Sequence, residues 1–114
     1  MVQAYETKYE ITQSNAEIPA SSSAVYGQST ADREAKTKYG SFNEFTINSL
    51  SGNEFNVLLD GIDIYAKFSG TGIITLKAER GRYFDFIKIT NLDGVNVITA
   101  ADLSITMKIQ KEKV

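Results

Sequence analysis

Glu54-Phe55-Asn56-Val57-Leu58-Leu59-Asp60-Gly61-Ile62-Asp63-Ile64-Tyr65-Ala66-Lys67-Phe68 is the stretch whose reading decides the fold. Phe55, Val57 and Leu59 share one side of an extended segment, and Ile62, Ile64, Ala66 and Phe68 resume the alternation after Asp60-Gly61. A two-residue apolar period marks a strand with one buried face. Asp and Gly in succession tolerate the positive φ that a tight turn demands. The stretch therefore predicts an antiparallel hairpin turning at Asp60-Gly61.

The pattern extends both ways. Upstream, Phe45 and Ile47 alternate with polar neighbours, and Ser51-Gly52-Asn53 supplies turn chemistry. Downstream, Ser69-Gly70-Thr71-Gly72 breaks the chain before Ile74, Leu76 and Ala78 alternate with Thr75, Lys77 and Glu79, and Arg80-Gly81-Arg82 turns it. Tyr83 to Thr90 begins apolar on both sides, with Phe84 and Phe86 opposed to Tyr83, Ile87 and Ile89. That predicts a central strand covered on both faces, or a bulge that shifts the phase near Phe86. Asn91-Leu92-Asp93-Gly94 reads as a turn, Val95, Val97 and Ile98 as a short strand or crossing, and Leu103, Ile105, Met107 and Ile109 as a clean final strand. Near the start, Tyr5, Tyr9 and Ile11 oppose Glu6, Lys8 and Glu10. Short strands at about ten-residue spacing predict an all-β antiparallel sandwich, jelly-roll-like, with about seven or eight strands. A chain of 114 residues fits one such domain, 1–114.

Gln13 to Ser41 departs from this pattern. It is rich in Ser, Ala, Thr, Asn and Gln and holds the only proline, Pro19. Ser29 to Gly40 offers a capping hydroxyl, acids in a first turn, lysines in a last turn and a glycine stop, but only a thin apolar stripe of Ala31, Ala35 and Tyr39. Segment 13–41 reads as a polar arm or long loop with at most one short helix, ordered by docking on a larger surface.

Composition excludes most catalytic chemistry. The chain has no histidine and no cysteine, so its serines have no imidazole base and soft metals have no ligands. Asp60, Asp63, Asp85 and Asp93 are the carboxylates that come into question, but Asp60 and Asp93 are explained by their turns. Asp60-Gly61-Ile62-Asp63 and Asp93-Gly94-Val95-Asn96 lack the spaced acids of a twelve-residue calcium loop. No enzyme, cofactor or metal is expected. A net charge of -2 argues against nucleic-acid wrapping. The candidate basic patch is Lys77, Arg80, Arg82 and Lys88, interleaved with Tyr83, Phe84 and Phe86. No apolar run is long enough for a membrane span, and acids stand where a signal peptide needs positive charge, so the sequence reads as soluble.

With its turn-rich series Leu58-Leu59-Asp60-Gly61-Ile62 and Phe68-Ser69-Gly70-Thr71-Gly72, the chain from Tyr5 to Ile109 resembles small virion structural proteins of bacterial or archaeal viruses. In that group a compact β-sandwich or jelly roll follows a polar N-terminal arm, and copies pack by symmetry in a capsid, vertex or decoration layer. The resemblance implies a virion location and a homo-oligomer or other virion proteins as partners, with 13–41 reaching to a neighbour. Tyr5, Tyr9, Tyr26 and Tyr39 are the candidate interface aromatics, since tyrosine buries a ring and keeps a hydrogen-bonding tip. A carbohydrate-binding or adhesive sandwich is the alternative, with tyrosines stacking on sugars, and a nucleic-acid-binding β-barrel is the third.

Overall fold

A computed structural model describes residues 4–14, 17–78 and 82–113. The alternating segments form eight strands among the described residues: β1 (Tyr5–Ser14), β2 (Ser23–Tyr26), β3 (Glu44–Ser49), β4 (Glu54–Leu59), β5 (Asp63–Ser69), β6 (Gly72–Leu76), β7 (Ile87–Asn91) and β8 (Leu103–Glu112). One helix, α1 (Thr30–Tyr39), and a 3-10 turn at Ala100–Asp102 complete it.

Two four-stranded antiparallel sheets result, ordered β1-β8-β3-β6 and β2-β7-β4-β5. The order follows from one long ribbon rolled on itself. β1 runs against β8, β2 against β7, β3 against β6 and β4 against β5. Folding that ribbon brings β3 beside β8 and β4 beside β7, which closes both sheets. Two isolated bridges carry the ribbon through its corners: Ile18 pairs Ile98 between the first and second rungs, and Phe42 pairs Phe84 between the second and third. This is jelly-roll topology.

The inward residues of both sheets fill the space between the layers. Phe45, Ile47, Phe55, Val57, Ile87, Ile89, Ile105, Met107 and Ile109 have no measurable exposure. Aromatic rings interlock where the ribbon bends: Phe42 stacks on Phe84 at 5.7 Å, Phe84 meets Phe45 edge-on at 5.5 Å, and Phe55 stacks on Phe68 at 4.4 Å. Such pairs add to the burial of their area. One end of the sandwich is held by two buried amides. Asn91 Nδ2 donates to the carbonyls of Ile18, Pro19 and Asn96, and Asn53 Nδ2 to those of Asn96 and Val97.

Segment 13–41 supplies more regular structure than its composition suggests. It contributes β2 as an edge strand and the ten residues of α1. The helix starts on a reciprocal capping box: the Ser29 hydroxyl accepts from the Asp32 N–H, and the Asp32 carboxylate from the Ser29 N–H. It docks on its own chain, bridging the open side between β1 and β2. Tyr9 in β1 donates to Asp32 at 2.8 Å. Lys36 Nζ donates to the carbonyls of Gly27 (2.8 Å) and Asp85 (2.9 Å) and pairs with the Asp85 carboxylate at 2.9 Å.

The hairpin forms where the sequence places it, with positive φ at Asp60 (58°) and Gly61 (71°). Asp60 Oδ1 also accepts from the N–H groups of Asp85 and Phe86. Of the two readings of Tyr83 to Thr90, the phase shift near Phe86 is the one that forms: the chain is irregular at Asp85 and Phe86 between the Phe84 bridge and the ladder, and strand β7 starts only at Ile87. Two expectations are corrected. Val95 and Val97 form no strand; the segment is a loop built on Asp93 that meets the ribbon at the Ile98 bridge and through the Asn96 and Val97 carbonyls, which accept from Asn91 and Asn53. Ile62 and Ile64 do not share the buried face of Phe68, being 80% and 62% exposed. A bulge opposite Val57 and Leu58 inserts Tyr65, whose ring meets Phe45 at 5.4 Å, and rotates Ile64 outward.

Candidate functional site

Among the described residues no three His, Cys, Asp or Glu side chains are grouped as metal ligands. Asp93 accepts from the Asn96 and Val95 N–H groups and the Asn96 amide, which together hold its carboxyl below the usual range. It is the anchor of a turn. An open cleft of about 580 Å³ lies beside the edges of β1 and β2, lined in part by Thr12, Gln13, Gln28 and Ser29. Three of those polar groups are engaged within the fold: Thr12 with Thr106, Ser29 with Asp32, and Gln28 with Asp85 and Lys36. No described helix is long and apolar enough to cross a membrane.

The four tyrosines selected from the sequence lie in different surroundings. Tyr26 is buried in its own core, 3% exposed, and so is closed to a neighbour. Its hydroxyl has no hydrogen-bond partner among the described residues, and burial pushes its pKa up to about 12. Tyr9 is partly buried, tied to Asp32 and packed against Phe42 at 6.2 Å. Tyr39 packs partly buried against the core, with the Lys38 ammonium 5.2 Å from its ring. A bulge between Thr7 and Tyr9 reverses the alternation, leaving Tyr5 on the side of Thr7 and Gln110 and away from Tyr9. The tyrosine that stands furthest into solvent is Tyr83, 54% exposed.

The basic residues also separate. Lys77 follows β6 of the first sheet, Arg82 is exposed ahead of the Phe84 bridge, and Lys88 belongs to β7 of the second sheet. Arg80 lies outside the described residues.

The two outer faces differ. On the first sheet the residues facing away from the core form cross-strand rows. One runs Thr12, Thr106, Thr46, Thr75 across all four strands, and beside it Lys108 sits between Glu10 (3.9 Å) and Glu44 (3.5 Å). Paired threonines and alternating charges suit a face that meets water. The second sheet has one comparable row, Ser23, Thr90, Asn56, Lys67. Its next row is apolar: Val25 pairs Lys88, Lys88 pairs Leu58, and Leu58 pairs Ile64. Val25 is 49% exposed at one end and Ile64 62% at the other. The basic candidate Lys88 thus lies inside an apolar row, and the bulge that brings Ile64 into that row left no separate mark in the sequence.

No protein family, no curated protein and no solved structure matches the chain.

Proposed function

We propose that this protein is a non-enzymatic assembly module, a jelly-roll structural component of a capsid, vertex or decoration layer whose copies pack against one another. The observation that supports this most is the apolar row Val25, Leu58, Ile64 across the outer face of the second sheet, set against the polar rows of the first. Apolar residues set side by side on an outer face, unlike single scattered ones, gain from being covered. A second copy is the natural occupant. Two rows laid antiparallel about a two-fold axis put Val25 against Ile64 and the Lys88 methylenes against Leu58. In that arrangement each Lys88 covers apolar surface with its methylenes and must carry its ammonium out of the contact to solvent.

The test is mass by light scattering over a wide concentration range, for the wild type and for Ile64→Lys, with circular dichroism as the folding control. The wild type is expected to associate, and the lysine at this exposed position to shift it toward monomer. A wild type that stays monomeric at every concentration defeats the proposal.

A further inference from the structure

A sheet edge presents unpaired N–H and C=O groups, and natural sheets blunt such edges with charge, bulges, short length or a covering element. Three of the four edges here are guarded. Strand β1 carries Glu6, Lys8 and Glu10, is bulged at Lys8 and is tied to α1 through Tyr9 and Asp32. Strand β2 is four residues long, and the chain at its end is held by α1, whose Lys36 donates to the Gly27 carbonyl. Strand β5 is bulged at Tyr65 and carries Lys67, paired with Glu54 at 3.4 Å. The fourth edge, β6, reads Gly72-Ile73-Ile74-Thr75-Leu76, with no charge, no proline and an unbroken register against β3. The Tyr65 hydroxyl reaches the Thr75 carbonyl at 3.5 Å, and no described strand pairs beyond β6.

The residues of β6 suit pairing of the strand with itself. Ile73 is 66% exposed and ends the row Ser104, Asn48, Ile73 of the otherwise polar outer face. Antiparallel self-pairing sets equivalent residues near one another, so any charge on the strand would meet its like. This strand has none. The geometry points to β6 as a strand-addition edge for a second copy of this chain, joining two first sheets into one continuous eight-stranded sheet about a two-fold axis. The inference rests on the assembly reading but uses an edge, where that reading uses the face of the other sheet.

The chain has no cysteine, so one introduced thiol is unique. Ile73→Cys and Thr75→Cys are oxidised separately and as an equal mixture, with Thr106→Cys in the middle of the same face as the control. One of the pairings 73 with 73, 75 with 75 or 73 with 75 is expected to form a disulfide-linked dimer in native protein and to lose it in denaturant, while the control stays monomeric. Ile73→Lys is expected to weaken this dimer by about tenfold or more without unfolding the chain. Association of the wild type with no cross-link in any of the three pairings overturns the edge contact and leaves the assembly reading standing. A wild type that is monomeric throughout overturns both.

Discussion

The Tyr9 hydroxyl of β1 donates to Oδ1 of Asp32 in α1 at 2.8 Å, while Oδ2 of the same carboxylate accepts from the Ser29 N–H at 3.2 Å. One fully buried side chain therefore begins the helix and fastens it to the first sheet. Tyr9→Phe should cost about 1–2 kcal/mol, because it leaves a buried carboxylate oxygen short of a donor. Asp32→Ala should cost more, since it also removes the cap. Chemical denaturation at neutral pH measures both.

Alkaline pH should loosen the fold. Burial first, and then the hydrogen bond and charge of Asp32, push the Tyr9 pKa up to about 12; burial alone does the same for Tyr26. An unfolded tyrosine ionises near pH 10. Above that pH the unfolded chain sheds protons that the folded chain keeps, so stability present below about pH 10 falls as pH rises toward 12. Stability measured between those limits should decline, and Tyr9→Phe or Tyr26→Phe should each flatten the decline. A flat profile in the wild type contradicts the assignment.

Tyr26→Phe should stabilise the protein. Its hydroxyl is buried without a hydrogen-bond partner among the described residues, so removing the oxygen relieves a desolvation penalty and leaves the ring in place. The gain should be about 1 kcal/mol, read as a higher denaturant midpoint with an unchanged slope.

Lys36 is the second fastening of the helix. Its side chain is 9% exposed and its ammonium lies 5.5 Å from the centre of the Phe42 ring. Lys36→Met keeps the apolar stem as far as the ε position but removes the ammonium and strands the Gly27 and Asp85 carbonyls. The expected loss is about 2 kcal/mol. Amide hydrogen exchange should rise in α1 and around Asp85 before it rises in β8.

The strands that alternate against a single buried face were legible. β8 alternates buried and half-buried residues from Leu103 to Gln110, as its sequence predicts, and the Ser29 capping box and the Asp60-Gly61 turn have chemistries that few other structures would use. The failures share a cause: the deciding interaction lies far away in sequence. β2 holds only Ser23, Ala24, Val25 and Tyr26, and its strand state depends on β7 beside it. The outward turn of Ile64 depends on Tyr65 finding room against Phe45, which no local pattern encodes. For the same reason the apolar row could not be foreseen, since Val25, Leu58 and Ile64 become neighbours only through cross-strand register.

Because the ribbon is rolled, β8 lies between β1 and β3, and Thr7 finds Gln110 across 103 positions of chain. A nascent chain therefore holds β1 without a ladder until Leu103–Glu112 has been synthesised, and β3 meanwhile lacks one of its two neighbours. Such distant pairing must close long loops before any reward, which makes maturation slow and leaves the half-made chain open to proteases and chaperones. The sandwich can be completed only once translation has passed β8.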